Sequence, residues 1–169
     1  TLEETGLNLD FAIQGDGFFA IQTENGVQYT RNGSFSLDDE GYLTLGGQGR
    51  VLDPEGEPIF LPTDQIRADD TGTIYLQEGG GALGRIGVYT FPDNAQLTID
   101  TSGLFDANGQ AAAAADVPVQ WKAVERANVD LVEEMTAMIS AQRALQGAAQ
   151  VLKIYDSLLT KITTDVGSV

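Results

Sequence analysis

The last third of the chain carries the strongest hydrophobic pattern. Residues 129–163 contain no proline, and their only glycine is Gly147. Apolar or small side chains recur there at intervals of three, four and seven residues, which predicts one face of an α-helix of about 35 residues and roughly 50 Å. We predict that this face is an assembly interface, and we call it the assembly stripe. It comprises Leu131, Met135, Met138, Gln142, Leu145, Ala149, Leu152, Leu159 and Ile162.

The predicted helix has a capping signal and a second set of apolar residues. Asp130 and Glu133 fit a capping box, and Asn128 is the alternative N-cap. The stripe shifts phase around residues 152–155, so no single heptad register fits its whole length. The broad apolar face favours partner helices on more than one side; the alternative is a helix packed on its own domain. The additional apolar residues are Val129, Val132, Ile139, Val151, Ile154 and Leu158.

Residues 9–91 show a different pattern, in which short β-type runs alternate with turn signals. Asn-Gly pairs and Asp-rich tetrapeptides ending in glycine mark the turns, because these residues accept positive φ or bond their own backbone. The pattern predicts an all-β body. Its predicted strands are residues 9–13, 18–23, 27–31, 34–37, 42–45, 50–52, 58–61, 65–67, 73–76 and 83–91, the last being the longest.

The alternation of β-type runs and turn signals stops at residues 92–116, which include an alanine tract at 111–115. We interpret this segment as an exposed excursion or linker. Residues 117–124, with the only tryptophan, Trp121, predict a strand returning to the body. The expected organisation is a β-rich body over residues 1–126 and a C-terminal assembly helix over residues 127–165. The predicted fold class is therefore mainly β with a long C-terminal α-helix, that is, an irregular all-β body of short hairpins plus a helical stalk.

Charge divides the chain in the same way. Residues 1–118 hold 19 acidic and 4 basic side chains, whereas residues 119–169 hold 6 and 5. An acidic body repels phosphate backbones, so we expect no nucleic-acid partner. No apolar run approaches the roughly 18 residues that span a bilayer, and nothing resembles a signal peptide, so we expect no membrane insertion.

Catalytic chemistry has few candidates. The chain has no cysteine and no histidine, which excludes thiolate metal sites and Ser-His or Cys-His catalysis. Carboxylate pairs occur at residues 38–40, 53–55 and 69–70, and they favour turn chemistry over calcium binding or acid–base work. We expect no catalytic, cofactor or metal site and no enzyme activity. The alternative is a β-rich ligand-binding or carboxylate-based enzyme module; a third possibility is a secreted adhesin-like protein.

Several segments together resemble the bacterial flagellar rod and hook family, and within it a basal-body rod subunit. They are residues 9–19 (LDFAIQGDGFF), 29–35 (YTRNGSF), 41–44 (GYLT), 71–74 (TGTI) and 127–143 (ANVDLVEEMTAMISAQR). The resemblance runs from Leu9 to about Ile162, matches weakly over residues 92–116, and preserves the order of the motifs. The short body is more similar to a rod subunit than to the hook protein, while proximal and distal rod subunits are not separated.

The resemblance implies a structural protein of an axial filament, located in the flagellar basal body. It implies helix packing with copies of itself and with neighbouring rod and hook proteins, and export through the flagellar secretion apparatus without a cleaved signal peptide. The family's N-terminal helix has no counterpart in this sequence, so we expect the C-terminal helix to lack that partner segment. Two departures stand out: Gln120-Trp121 replaces the usual Gln-Gly, and residues 142–146 read QRALQ where QRAYE is usual.

Overall fold

The computed structural model describes residues 2–126 and 131–167, with side chains in the second range from Met138 onward. The chain forms two units, residues 1–126 and residues 127–169. The first unit consists of β-strands and the second contains one long helix, so the predicted fold class is confirmed. The predicted capping residues Asn128 and Asp130 lie outside the described residues, as does Val129.

Sixteen short strands make up the described part of the β body, and every pairing between them is antiparallel. A 3-10 turn at Asn94–Gln96 lies between β11 and β12. The strands are β1 (Leu2–Glu4), β2 (Phe11–Ile13), β3 (Phe18–Thr23), β4 (Gly26–Thr30), β5 (Ser36–Leu37), β6 (Leu43–Thr44), β7 (Arg50–Val51), β8 (Ile66–Ala68), β9 (Thr73–Leu76), β10 (Ala82–Arg85), β11 (Val88–Thr90), β12 (Thr98–Ile99), β13 (Phe105–Asp106), β14 (Ala113–Ala114), β15 (Val119–Trp121) and β16 (Ala123–Glu125).

The largest sheet has nine strands and is centred on β3 and β4. Its order is β12-β13-β4-β3-β7-β6-β5, with β11 paired to both β3 and β14. A second sheet has the order β10-β9-β8, and two ribbons, β15-β2 and β1-β16, join segments far apart in the chain. The predicted turn at residues 24–26 is confirmed, because Thr23 pairs with Gly26 across it.

The core lies on both faces of the largest sheet. Phe19 and Ile21 of β3 belong to the main buried cluster, whereas the alternating Phe18 and Ala20 belong to a second, aromatic-rich cluster. Five large apolar residues of the body that lie in or beside its strands are buried: Phe11, Phe18, Phe35, Ile59 and Ile74. Two others, Tyr42 and Phe91, are only half-buried, because they pack at the edges against Phe60 and Tyr29 respectively.

Two of the motifs that carry the family resemblance, residues 9–19 and 29–35, lie at the centre of this core. Phe11 and Phe19 are fully buried, and both rings contact Phe35. A side chain at Gly33 would place a Cβ 1.7 Å from the carbonyl oxygen of Phe11, so glycine is required there by the close approach of two backbones. These motif residues therefore serve packing of the core.

Three predictions about the body are wrong in detail. The predicted strand at residues 83–91 is interrupted at residues 86–87, because β10 pairs with β9 while β11 pairs with β3 in a different sheet. The run at residues 58–61 makes only isolated bridges to Leu52 and Tyr42. The return segment 117–124 likewise splits into β15 and β16 at Lys122, whose φ is +57°.

The segment 92–116 is part of the sheet, contrary to the linker interpretation. It supplies β12, β13 and β14, and Phe105 pairs with Tyr29 of β4. Leu104 is buried in the main cluster, and Leu97 and Phe105 pack against the second cluster. Many of its other residues are exposed. The segment thus covers the aromatic face of the sheet.

The helical unit contains α1, which runs from Leu131 to Val166, 36 residues. This matches the helix predicted from the hydrophobic spacing. At 1.5 Å per residue it is about 54 Å long. Within the described residues, no helix is both long and apolar enough to cross a lipid bilayer.

Candidate assembly surface

The described side chains of the assembly stripe are all exposed. Met138 is 67% exposed, Leu145 73% and Leu152 65%. Leu159, Ile162, Gln142 and Ala149 are exposed as well. The side chains of Leu131 and Met135 lie outside the described residues. The stripe residues that the structure describes therefore present a continuous apolar surface along α1.

A heptad spacing organises this surface. Met138, Leu145, Leu152, Leu159 and Val166 follow one another at intervals of seven, and all five are exposed. A straight helix drifts about 20° per heptad, so this line turns slowly around α1. The residues beside this line therefore differ along the helix: Gln142 and Ala149 lie beside its first part, and Tyr155 and Ile162 beside its second part. Sequence reasoning omitted Tyr155 and Val166 from the stripe, although the interval from Leu159 to Val166 was a usable signal.

A second group of apolar side chains widens the surface in the C-terminal half of α1. Val151, Ile154 and Leu158 are each more than half exposed. At about 100° per residue, the large apolar positions from Val151 to Val166 cover roughly 160° of the circumference. Only five charged residues occur between residues 138 and 166: Arg143, Lys153, Asp156, Lys161 and Asp165. Large exposed apolar surfaces of this kind are typical of interaction sites.

Hydroxyl groups near the end of α1 are already satisfied. The hydroxyls of Ser157, Thr160, Thr163 and Thr164 each donate to the carbonyl oxygen four residues earlier, at 2.7 to 2.9 Å. Such a bond leaves the hydroxyl with no need for a partner on another chain. Thr163 lies close to the apolar line, so it can be buried against a neighbouring helix at low cost.

The carboxylates of the body hold turns together. Five segments share the pattern Asp-x-x-Gly, and in four of them the aspartate Oδ1 accepts hydrogen bonds from the backbone N–H groups two and four residues later, at 2.8 to 3.1 Å. The closing glycine has a φ between +80° and +89° in every case. Four aspartates accept this pair of backbone hydrogen bonds: Asp38, Asp53, Asp69 and Asp100.

Hydrogen bonds lower the pKa of three of these aspartates. The Ser102 hydroxyl and the Gln28 amide are the main groups that bring the pKa of Asp100 down to about 2. The backbone N–H of Tyr42 is the main group that lowers the pKa of Asp38. Burial raises the pKa of Asp69, but hydrogen bonds from Thr71, Thr73 and Tyr75 outweigh it, so the net pKa is lowered. A depressed pKa suits a structural carboxylate and does not suit a general acid.

The same carboxylates show no arrangement for a metal ion. Among the described residues, no group of three or more His, Cys, Asp or Glu side chains converges on one point. Asp38 is bonded instead to Arg50, with 2.9 Å between Nε and Oδ2. The geometry thus explains the acidic clusters as turn-forming residues.

These features define a class of protein: a β body with its own core, joined to a long helix whose apolar surface is suited to partners. Comparison with known proteins agrees. Residues 12–107 match the family described as flagellar hook protein FlgE/F/G D1 domain, and residues 122–165 match the flagellar basal body rod FlgEFG protein C-terminal family. The chain therefore belongs to the flagellar hook and basal-body rod protein family.

Individual relatives share this similarity over nearly the whole chain. The flagellar basal-body rod protein FlgG of Bacillus subtilis is 34% identical over 95% of this chain and 66% of its own length. Two proteins named flagellar basal-body rod protein FlgF are similar too. That of Mesorhizobium japonicum is 36% identical over 90% of this chain and 65% of its own, and that of Rhizobium meliloti is 30% identical over 98% and 70%. The chain thus spans about two thirds of the length of these relatives.

Proposed function

We propose that the chain is a structural subunit of the flagellar basal-body rod, and that α1 assembles it into the axial drive shaft. The observation that carries this proposal is the exposed apolar surface along α1, from Met138 to Val166. Membership of the rod and hook family supports it. The subunit works by assembly, without catalysis, and its body carboxylates serve turns.

The energy available from the assembly stripe is sufficient for such a role. Burying one large apolar side chain is worth about 1.5–3 kcal/mol, so the seven large apolar residues of the stripe supply on the order of 10–20 kcal/mol before association costs. Those costs are themselves several kcal/mol or more, so a single helix contact is modest. A subunit held by neighbours on several sides of α1 gains from each of them.

The partners follow from this arrangement. α1 packs on helices of other copies and of neighbouring rod and hook proteins in the basal body, and the flagellar secretion apparatus exports the subunit to that location. Nearly all of the stripe is apolar, with Gln142 as the one polar residue. Partner helices of matching apolar character therefore fit it best.

Electron microscopy of isolated basal bodies tests the proposal. Cells that produce the chain with a small tag on the Glu24–Asn25 turn, which is exposed, should yield basal bodies with regularly spaced tag density along the rod. Tag density only in the hook or the membrane rings, or none in basal bodies that contain an intact rod, would contradict the proposal.

A further inference from the structure

Two lysines and two aliphatic residues lie beside one another in the C-terminal half of α1, next to the apolar line, and we call Lys153, Ile154, Leu158 and Lys161 the lysine face. At about 100° per residue, these four positions span roughly 140° of the circumference. A shallow groove of about 320 Å³ runs along this face. Lys153 and Lys161 are eight residues apart, about 12 Å along the axis. Within the described residues, neither lysine forms an ion pair.

The β body contains a groove of complementary character. It has a volume of about 680 Å³ and is lined by residues 6–10, 35–37 and 63–64, including three leucines, Leu7, Leu9 and Leu37. Leu7 is 62% exposed. The open edge strand β5 belongs to the lining. We call this the body groove.

The wall of the body groove is held in place by hydrogen bonds to Asn8. The indole Nε1 of Trp121 donates to the carbonyl oxygen of Asn8 at 2.7 Å, and the Asn8 amide donates to the carbonyl oxygen of Asp64 at 3.1 Å. The groove is thus a preformed feature of the fold, and its apolar lining is ready for a ligand of matching shape.

Acidic side chains lie at the border of the groove. A second groove of about 470 Å³ shares Thr63 with the first and includes Glu78. Asp64 and Glu78 are both exposed. Four of the six basic residues of the described body, Arg31, Arg50, Arg85 and Arg126, pair with other carboxylates, while Arg67 lies over Tyr75 and Lys122 over Trp121.

We propose that the lysine face of α1 docks in the body groove of a second copy of this chain. Lys153 and Lys161 meet the Asp64 and Glu78 carboxylates, while Ile154 and Leu158 cover the exposed Leu7 and the half-buried Leu9 and Leu37. The match is both apolar and electrostatic, which favours this partner over a purely apolar helix. The proposal rests on the proposed function, since it adds a helix-to-body contact to helix-to-helix packing through the assembly stripe.

Zero-length cross-linking tests the contact directly, because a carbodiimide joins a lysine amine only to a carboxylate that touches it. An equal mixture of unlabelled and ¹⁵N-labelled chain distinguishes links between copies from links within one copy. The expected products are mixed-isotope links from Lys153 or Lys161 to Asp64 or Glu78. Links within single copies only, or mixed links confined to carboxylates of α1, would overturn the proposal.

Charge reversal supplies a second test with a matched control. The double variant Lys153→Glu/Lys161→Glu should self-associate roughly three- to tenfold more weakly at low salt, since exposed ion pairs are individually weak and screened. The double variant Asp64→Lys/Glu78→Lys should weaken likewise, and mixing the two should restore association in sedimentation equilibrium. The control variant Glu24→Lys/Glu55→Lys carries the same net charge as Asp64→Lys/Glu78→Lys, but its substitutions lie away from the groove. If mixing this control with Lys153→Glu/Lys161→Glu restores association equally well, docking at the groove is refuted.

The stripe variant Leu145→Asp separates this proposal from the proposed function. If Leu145→Asp forms no rods and the unaltered chain gives no mixed-isotope lysine links, the rod function stands and the docking is refuted. Normal rods in Leu145→Asp would refute the rod function of the stripe instead.

Discussion

Arg31 and Glu125 form an ion pair that links two hairpins to the strand preceding α1, with 2.6 Å between Nε and Oε2. The same guanidinium donates to the carbonyl oxygens of Gly15 and Gly17, both at 2.7 Å. One side chain therefore fixes the turn between β2 and β3 against the end of β16. Arginine suits this position because its planar group offers several donors in fixed directions.

We expect Arg31→Met to destabilise the body by roughly 1–3 kcal/mol, because it removes a charged donor from three acceptors. Arg31→Lys should recover only part of this loss, since a lysine amine cannot reach all three oxygens in the same geometry. Glu125→Gln keeps an acceptor oxygen, so it should destabilise the body less than either substitution of Arg31. Chemical denaturation of the three variants measures these differences, and an unchanged unfolding midpoint for Arg31→Met would show that the cluster is dispensable.

Lys122 adopts a left-handed conformation, with φ of +57°, between β15 and β16. We therefore expect Lys122→Gly to be more stable than Lys122→Ala by roughly 1 kcal/mol, because only glycine avoids the Cβ strain at positive φ. Both substitutions remove the contact with Trp121, so the comparison isolates the backbone. At an ordinary strand position alanine would be the more stable variant, and that order here would contradict the prediction.

Acid should weaken the body through its turn aspartates. Asp100 has a folded pKa of about 2, below its ordinary value of 3.8. Its contribution is therefore fully present above about pH 4 and is lost as the pH falls toward 2. Asp38 and Asp69 shift in the same direction. We expect the melting temperature to fall across this range.

The variant Asp100→Asn checks the acid prediction. It should melt below the unaltered chain at pH 7, and the difference should shrink as the pH approaches 2, because protonation then progressively removes the charge of Asp100. Asp93→Asn is a control, since Asp93 lies outside the Asp-x-x-Gly turns. A difference between Asp100→Asn and the unaltered chain that stays constant from pH 7 to pH 2 would disprove the linkage.

The β body should fold without α1. All sixteen buried residues of the main core cluster lie between Phe11 and Val119, within the first compact unit. A chain ending at Arg126 should therefore be soluble and melt cooperatively, near the temperature of the full chain. A molten or insoluble fragment would show that α1 completes the core.

Local signals in the sequence identify the hairpins well. Alternation in residues 18–23 and the Asn25-Gly26 pair predict β3, β4 and their turn, because both depend on neighbouring residues. Pairing between distant strands has no such local sequence signal. For example, β15 pairs with β2, which is about a hundred residues away in the chain. The conformation of Lys122 was equally hidden, because lysine carries no turn signal.

The turn at Asp100, which the sequence analysis does not predict, nevertheless has a sequence signal. The Asp-x-x-Gly pattern that marks turns at Asp38, Asp53 and Asp69 recurs at Asp100, inside the segment interpreted as a linker. The assembly stripe was visible from its period, because it depends on the 3.6-residue turn of one helix. The body groove was not, since three distant segments form it. The interface role of the stripe stays a prediction.

The most direct test of the central claim compares rod assembly with stability in two stripe variants. Met138→Glu and Leu145→Asp place charge on the described apolar line, while Gln146→Glu adds the same charge on the polar side of α1. We expect the two stripe variants to keep the melting temperature of the unaltered chain but to form no rods and to abolish swimming, whereas cells with Gln146→Glu should swim. Normal motility in both stripe variants, or a collapse of folding stability in the isolated chain as expected for a helix packed on its own body, would contradict it.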